Sequence, residues 1–209
     1  MDVPDLLVGA GTKDMMWGAD SPESTSADTH FDSARDALVA GISGAARENA
    51  ALGRAMLAAR GEGPYVVAPD GERFIDYFTG FGSIVLGYGN LEVRAAIEQA
   101  MDMGLIHGPE TVYQLQLARC LIDLIPSADL VRFANSGSEA TMVAIRLARA
   151  YTSRAKVLKF EGHFHGLHEN VLFNTHPEPR TAVPGEIVET SSDSAGMPEN
   201  FAESVIVVA

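Results

Sequence analysis

Two glycine-bearing segments hold the residues whose types and spacing suit chemistry. In Asn135-Ser136-Gly137-Ser138-Glu139 the serine and glutamate stand in the S-x-x-E spacing of a capping box, which satisfies orphan N–H groups at a helix start. Gly137 leaves the backbone open to close approach. The remaining N–H groups and the positive end of the helix dipole then form a place for a phosphate. The plainer alternative is a well-capped helix with no ligand. No Walker-type lysine accompanies the turn, which disfavours a nucleoside triphosphate. The second segment, Glu161-Gly162-His163-Phe164-His165-Gly166-Leu167-His168, offers an aromatic ring and three imidazoles. A phosphate on one segment and a ring near it on the other describe a flat, phosphorylated cofactor. Zinc held by His163, His165 and His168 with Glu161 or Glu169 is a weaker candidate, because the spacing suits no common zinc site. Loop histidines with no ligand are a third reading.

Both segments need strands to position them. LVRFAN (130–135) reads as a buried strand and KVLKF (156–160) as a second. Between them Ala140, Val143, Ala144, Leu147 and Ala148 fall on one helical face. This is a βαβ unit with parallel strands, and both segments open at its carboxyl edge, where α/β folds bind ligands.

Upstream, DSARDALVAG predicts a short helix ending at Gly41, and LGRAMLAAR (52–60) a weakly patterned one. GPYVVAPDGERFIDYF reads as a β-hairpin turning at Pro69-Asp70-Gly71, and TGFGSIVLGYGN as an irregular loop. LEVRAAIEQAMDMG, stopped by Gly104, and TVYQLQLARCLIDLIP predict two helices. Cys120, in the second, reads as a buried thiol, since only Arg119 beside it is cationic. Residues 1–30 are read as a flexible N-terminal arm, 31–85 as an N-terminal segment with the hairpin, and 86–209 as a ligand-binding large domain. The final SVIVVA suits a parallel strand covered on both faces. Chains seldom end inside such a strand, so the expectation is a large domain incomplete at its C-terminus.

Composition narrows the partners. The chain has 209 residues and a net charge of −13, with lysine only at positions 13, 156 and 159. Phosphate backbones and anionic membranes need clustered cations that are absent here, so neither nucleic acid nor membrane is an expected partner. One cysteine excludes an intramolecular disulfide and suits a reducing compartment. The acidic N-terminus is read as neither a signal nor a transit peptide, and no apolar run approaches the roughly 20 residues of a bilayer span. The expected location is cytoplasmic.

RFANSGSEATMVAIRLARAYTSRAKVLKFEGHFHG resembles the cofactor-binding segment of the class III aminotransferases, enzymes that use pyridoxal 5′-phosphate (PLP). The resemblance runs from about Asp32 to the last residue, through GERFIDYFTGFGSIVLGYGN, IPSADLVRF and SSDSAGMPENFAE, and is greatest to the glutamate-1-semialdehyde 2,1-aminomutase branch. It implies an α/β fold of type I, with a mostly parallel sheet in a large domain, a smaller domain built from both chain ends, and a homodimer. It also implies that the Gly137 and Ser138 N–H groups hold the cofactor phosphate and that Phe164, where the aminomutases usually carry Tyr, stacks on the pyridine ring. AGISGAAR (40–47) resembles the aminomutase GGV-x-x-x-x-R pattern and puts Arg47 at the substrate carboxylate, a pairing a guanidinium suits. An ordinary surface arginine is the alternative. Phe81 replaces a Trp typical of the substrate pocket, and Ser83 replaces a usual Pro.

The family's Schiff-base lysine and the carboxylate beside the pyridine nitrogen match nothing here. Lys156 and Lys159 fit neither motif, and Lys13 precedes the similarity. The chain is therefore read as an N-terminal fragment, inactive alone and poorly soluble or partly molten. As part of a whole enzyme it would transfer amino groups on amino/keto or semialdehyde substrates, as in converting glutamate 1-semialdehyde to 5-aminolevulinate. The alternatives are a β-amino-acid or amine transaminase of the same family, and a short non-catalytic protein that binds PLP or a partner.

Overall fold

Short runs of strand formers broken by glycine turns build the front of the chain. The computed structural model describes residues 26–49, 54–104, 108–176 and 183–209. The chain divides into two compact units, Met1–Gly108 and Pro109–Ala209.

In the first unit, helix α1 (Ala27–Ala34) starts at Ser26, whose Oγ accepts from the Thr29 N–H at 3.2 Å. The flexible-arm reading is therefore corrected at its end: a good N-cap turns residues 27–30 helical. Residues 1–25 lie outside the described residues. The helix also stops before Gly41, because Val39–Gly41 forms a 3-10 turn with Ala40 and Gly41 at positive φ. The weak helix over 52–60 is likewise corrected where it is described. Arg54–Ala55 (β2) pairs with Glu48–Asn49 (β1), and Arg60–Glu62 (β3) pairs with Tyr65–Val67 (β4). The hairpin forms as expected, with β4 antiparallel to Arg73–Ile75 (β5) and Val67 fully buried. Its turn holds Gly71 at φ 87°, and Asp70 Oδ1 accepts from the Glu72 N–H at 3.0 Å. Tyr88 pairs with Gly63 through both backbone bonds, 2.7 and 3.0 Å, which ties the following residues to this sheet. Helix α2 (Leu91–Met101) starts at Asn90, whose Oδ1 accepts from Glu92 and Val93 N–H.

In the second unit, helix α3 (Val112–Leu124) opens on a Thr111–Gln114 capping box, and helix α4 (Gly137–Thr152) is the longest of the described residues. Val157–Phe160 (β6) runs parallel to Val205–Val208 (β8), which also pairs antiparallel with Ile187–Val188 (β7). β8 thus takes the central place its apolar sequence suggests, and Val205, Val207 and Phe173 form the core. The strand read over 130–135 is a correction. Residues 130–134 run without a ladder, because a strand exists only through a paired neighbour and none of the described strands lies along them. The βαβ reading keeps its helix and its second strand, whose parallel partner is β8.

Helices α2, α3 and α4 bury none of their residues: Leu124 is 77% exposed and Leu147 68%. Their apolar stripes are uncovered by any described element. Cys120 is exposed for the same reason, which corrects the buried-thiol reading.

Gly61 supports the first unit by its lack of a side chain. A Cβ there would fall onto the Tyr88 ring. Gly61→Ala should therefore lower stability by about 1–3 kcal/mol, the usual cost of overpacking. Chemical denaturation of the two proteins checks this.

Candidate functional site

The start of α4 leaves donors open. Ser136 is extended (φ −148°, ψ 160°) and its Oγ accepts from the Glu139 N–H at 3.2 Å. The capping box is only half formed, since the Glu139 carboxylate reaches past Ser136 to the Asn135 N–H at 2.8 Å. Among the described residues no acceptor meets the N–H groups of Gly137 and Ser138. Nothing lies within 4 Å of where a Gly137 Cβ would stand. Two amides of a 16-residue helix therefore face an open position, where the helix dipole favours an anion.

The loop after β6 is fastened beside those amides. Gly166, at φ 123°, passes so close to α4 that a Cβ would come within 2.9 Å of both Cα and Oγ of Ser138. The Leu167 N–H donates to Ser138 Oγ at 3.1 Å, and Thr141 Oγ1 donates to the His165 carbonyl at 2.7 Å. The structure therefore brings together the two segments that the sequence singled out. Phe164, between these contacts and β6, is 59% exposed and leaves a ring face accessible. Below the loop, Lys159 is buried at 3% exposure and donates to the carbonyls of Val171 (3.2 Å) and Phe173. Burial lowers its pKa, opposed by the carboxylate of Asp193.

Two imidazoles of the loop, those of His165 and His168, are held toward their neutral forms. Burial lowers the pKa of His165, aided by the charges of Lys159 and His163, and burial lowers that of His168 against the pull of Glu169. No group of three His, Cys, Asp or Glu side chains among the described residues is arranged to hold a metal ion. A separate groove of about 750 Å³ opens between Glu161, Phe173 and Met197. Its lining includes Glu186, Glu189 and Glu199, which repel a phosphate, and none of Gly137, Ser138 or Phe164.

Arg47 and Phe81 belong to the first unit. Arg47 closes a 3-10 turn, exposed, and among the described residues its guanidinium meets no carboxylate. Phe81 sits in a left-handed turn, Thr79 to Gly82, all four residues at positive φ. Asp76 anchors that turn, accepting from the Phe78 and Thr79 N–H groups (2.9 Å each) and from the Tyr88 hydroxyl (2.7 Å). The Tyr88 bond is the main reason the Asp76 pKa is lowered and the Tyr88 pKa raised. Phe81 is 73% exposed and packs edge-on to Phe78, centroids 4.2 Å apart.

Sequence reasoning missed Lys159 and Thr141 as organisers. One signal was present for each. Lys159 stands at the inward phase of a strand, alternating with exposed Leu158 and Phe160, and Thr141 follows Gly137 by one helical turn.

The family described as Aminotransferase class-III matches residues 46–197. The chain is 36% identical over 180 residues to a glutamate-1-semialdehyde 2,1-aminomutase from Persephonella marina, covering 85% of this chain and 40% of that protein. Among solved structures it is similar to an omega-transaminase from Sphaerobacter thermophilus, with 27% identity, a TM-score of 0.78, and coverage of 95% of this chain and 43% of the other. A transaminase solved with PLP bound matches at 27% identity and a TM-score of 0.77, over 86% of this chain and 40% of that one. The chain thus spans well under half the length of these relatives. The α/β fold read from the sequence is theirs in part.

Gly166→Ala tests the fastening of the loop. Its Cβ collides with Ser138 and its backbone is left-handed, so a loss of about 2–4 kcal/mol in stability is expected from overpacking and φ strain together. Denaturation of the variant against Gly137→Ala, where space is open, checks it.

Proposed function

Because the chain belongs to the class-III aminotransferase family, we propose that this stretch supplies the phosphate- and ring-binding face of a PLP-dependent enzyme that transfers amino groups. The observation that carries this is the pair of acceptor-free amides at Gly137 and Ser138, with the loop of Phe164 fastened beside them. An anionic phosphate fits such a donor set. Ser138 Oγ accepts from Leu167, which leaves its own proton free to donate. Phe164 offers a ring face for the flat heterocycle. When bound, PLP supplies an electron sink for moving an amino group. The residues of this chain bind its phosphate and orient its ring.

Arg47 is the proposed grip for a substrate carboxylate and Phe81 a wall of the substrate pocket. The preferred substrate is an amino/keto acid or a semialdehyde such as glutamate 1-semialdehyde, supported by the aminomutase relative. A β-amino-acid or amine transaminase is the second reading, supported by the likeness to an omega-transaminase and by Phe81 and Ser83. Ser83 has φ −77°, within proline's range, but its N–H donates to the Gly80 carbonyl at 3.3 Å, a bond proline would lose. Lys159 is spent on backbone carbonyls and Lys13 and Lys156 match no family motif, so in this reading the transferring lysine is not one of these three and the 209 residues alone are inactive. A homodimer is part of this reading, supported by the family resemblance. No helix of the described residues is long and apolar enough to cross a membrane. The acidic composition and single cysteine support a cytoplasmic location.

Gly137→Pro isolates the phosphate contact. Proline is tolerated at the first helical position, Ser136 before it is already extended, and the space is open, yet one N–H is lost. Affinity for PLP should fall by roughly ten- to a hundredfold, the worth of one charged hydrogen bond, with stability unchanged. Affinity for pyridoxal, which lacks the phosphate, should not change. Equal losses for both ligands would contradict the assignment.

A further inference from the structure

A chain of side chains runs from the far end of α4 back to its start. Arg149 donates through Nε to the Ala155 carbonyl (2.8 Å) and through a terminal nitrogen to Asn170 Oδ1 (2.6 Å). That bond fixes which way the Asn170 amide points, so its Nδ2 faces His168 Nδ1 at 3.4 Å. An amide nitrogen only donates, so Nδ1 accepts and the proton of the neutral ring lies on Nε2. Nε2 then donates to Thr141 Oγ1 at 3.1 Å, and the Thr141 hydroxyl donates to the His165 carbonyl at 2.7 Å, with the Gly137 and Ser138 carbonyls at 3.0 and 3.1 Å. Each link of this chain sets a donor against an acceptor while His168 is neutral.

We propose that His168 and Thr141 are positioning residues that clamp the Phe164 loop onto the phosphate-binding start of α4, and that the clamp closes only when the imidazole is neutral. The proposal rests on the PLP reading of this site. Protonation puts an N–H on Nδ1 facing the donor face of Asn170. Turning the amide over would relieve that clash but set its NH2 against Arg149. Within this network the Nδ1 proton of the charged ring therefore meets no acceptor while Arg149 holds Asn170. The charged groups around it are Glu169, its chain neighbour, which favours the cation, and Arg149 of α4, one side chain away. On β6, Lys159 acts on His165. Burial outweighs Glu169 and holds the His168 pKa below the usual histidine value. The clamp is thus fully present above about pH 6.5 and is lost as pH falls through that lowered value.

His168→Gln separates positioning from bulk, since glutamine offers a donor group and an acceptor group without titrating. PLP affinity is measured from pH 7.5 to 5.0 for the unmodified chain, His168→Gln and His168→Ala. At pH 7.5 the glutamine variant should match the unmodified chain, and the alanine variant should bind about fivefold to tenfold more weakly, the net of one hydrogen bond. On acidification the unmodified chain should lose about that factor more than His168→Gln. Taking the difference removes the titrations of the phosphate itself and of His165. Superimposable profiles would overturn the proposal. A second readout needs no cofactor: exchange of the Leu167 amide should accelerate between pH 7.5 and 5.0, relative to its intrinsic rate, in the unmodified chain but not in His168→Gln. Exchange that follows the intrinsic rate in both overturns the clamp. Absence of PLP binding at every pH, with the Leu167 effect intact, overturns the functional reading instead.

Discussion

The contact between Gly166 and Ser138 constrains everything else in the candidate site. At this point a loop backbone lies against the first turn of a helix with no room for a side chain between them. Only glycine meets both demands, a left-handed φ and the absence of Cβ. With the loop seated there, Ser138 Oγ receives the Leu167 amide while the backbone amides of Gly137 and Ser138 remain without acceptors. A helix start that satisfied all of its own donors would have nothing left for an anion. The half-formed capping box leaves these two amides unaffected, because Glu139 turns to the Asn135 N–H, outside the helix.

The surrounding charge is arranged consistently with this. The chain is strongly acidic, yet among the described residues no carboxylate other than Glu139 accepts a bond from the 135–138 turn. The acidic groove near β7 lies among other residues, and the one buried lysine of the second unit spends its donors on loop carbonyls. Lys159 therefore acts as a strut under the segment that carries Phe164. It holds that segment by charge-assisted bonds where an apolar residue would leave two carbonyls unpaired.

Helices α2, α3 and α4 and the hairpin were legible because their signals are local: Ser136 as a cap, Gly104 as a stop, Pro69-Asp70-Gly71 as a turn, and 3.6-residue periodicity between. The two site segments were legible from glycine placement and the spacing of Ser136 and Glu139. The strand at 130–135 was not, because an apolar run becomes a strand only when another strand lies beside it, and sequence alone does not say which partner is present. The exposed Cys120 has the same origin: burial of α3 depends on what covers it. The role of Thr141 and Asn170 was hidden as well. Their partners are 24 and 21 residues away, at the His165 carbonyl and Arg149, and no local pattern predicts such pairings.

The central claim is that the first two amides of α4 bind a phosphate. Residue-resolved amide NMR of the chain during titration with PLP, and separately with inorganic phosphate, tests it most directly. The account predicts that the Gly137 and Ser138 amide protons move downfield together with both ligands, as N–H groups do on meeting an anion, while amides lining the groove near β7 stay in place. Saturable binding of either ligand with the Gly137 and Ser138 amides unmoved would contradict it.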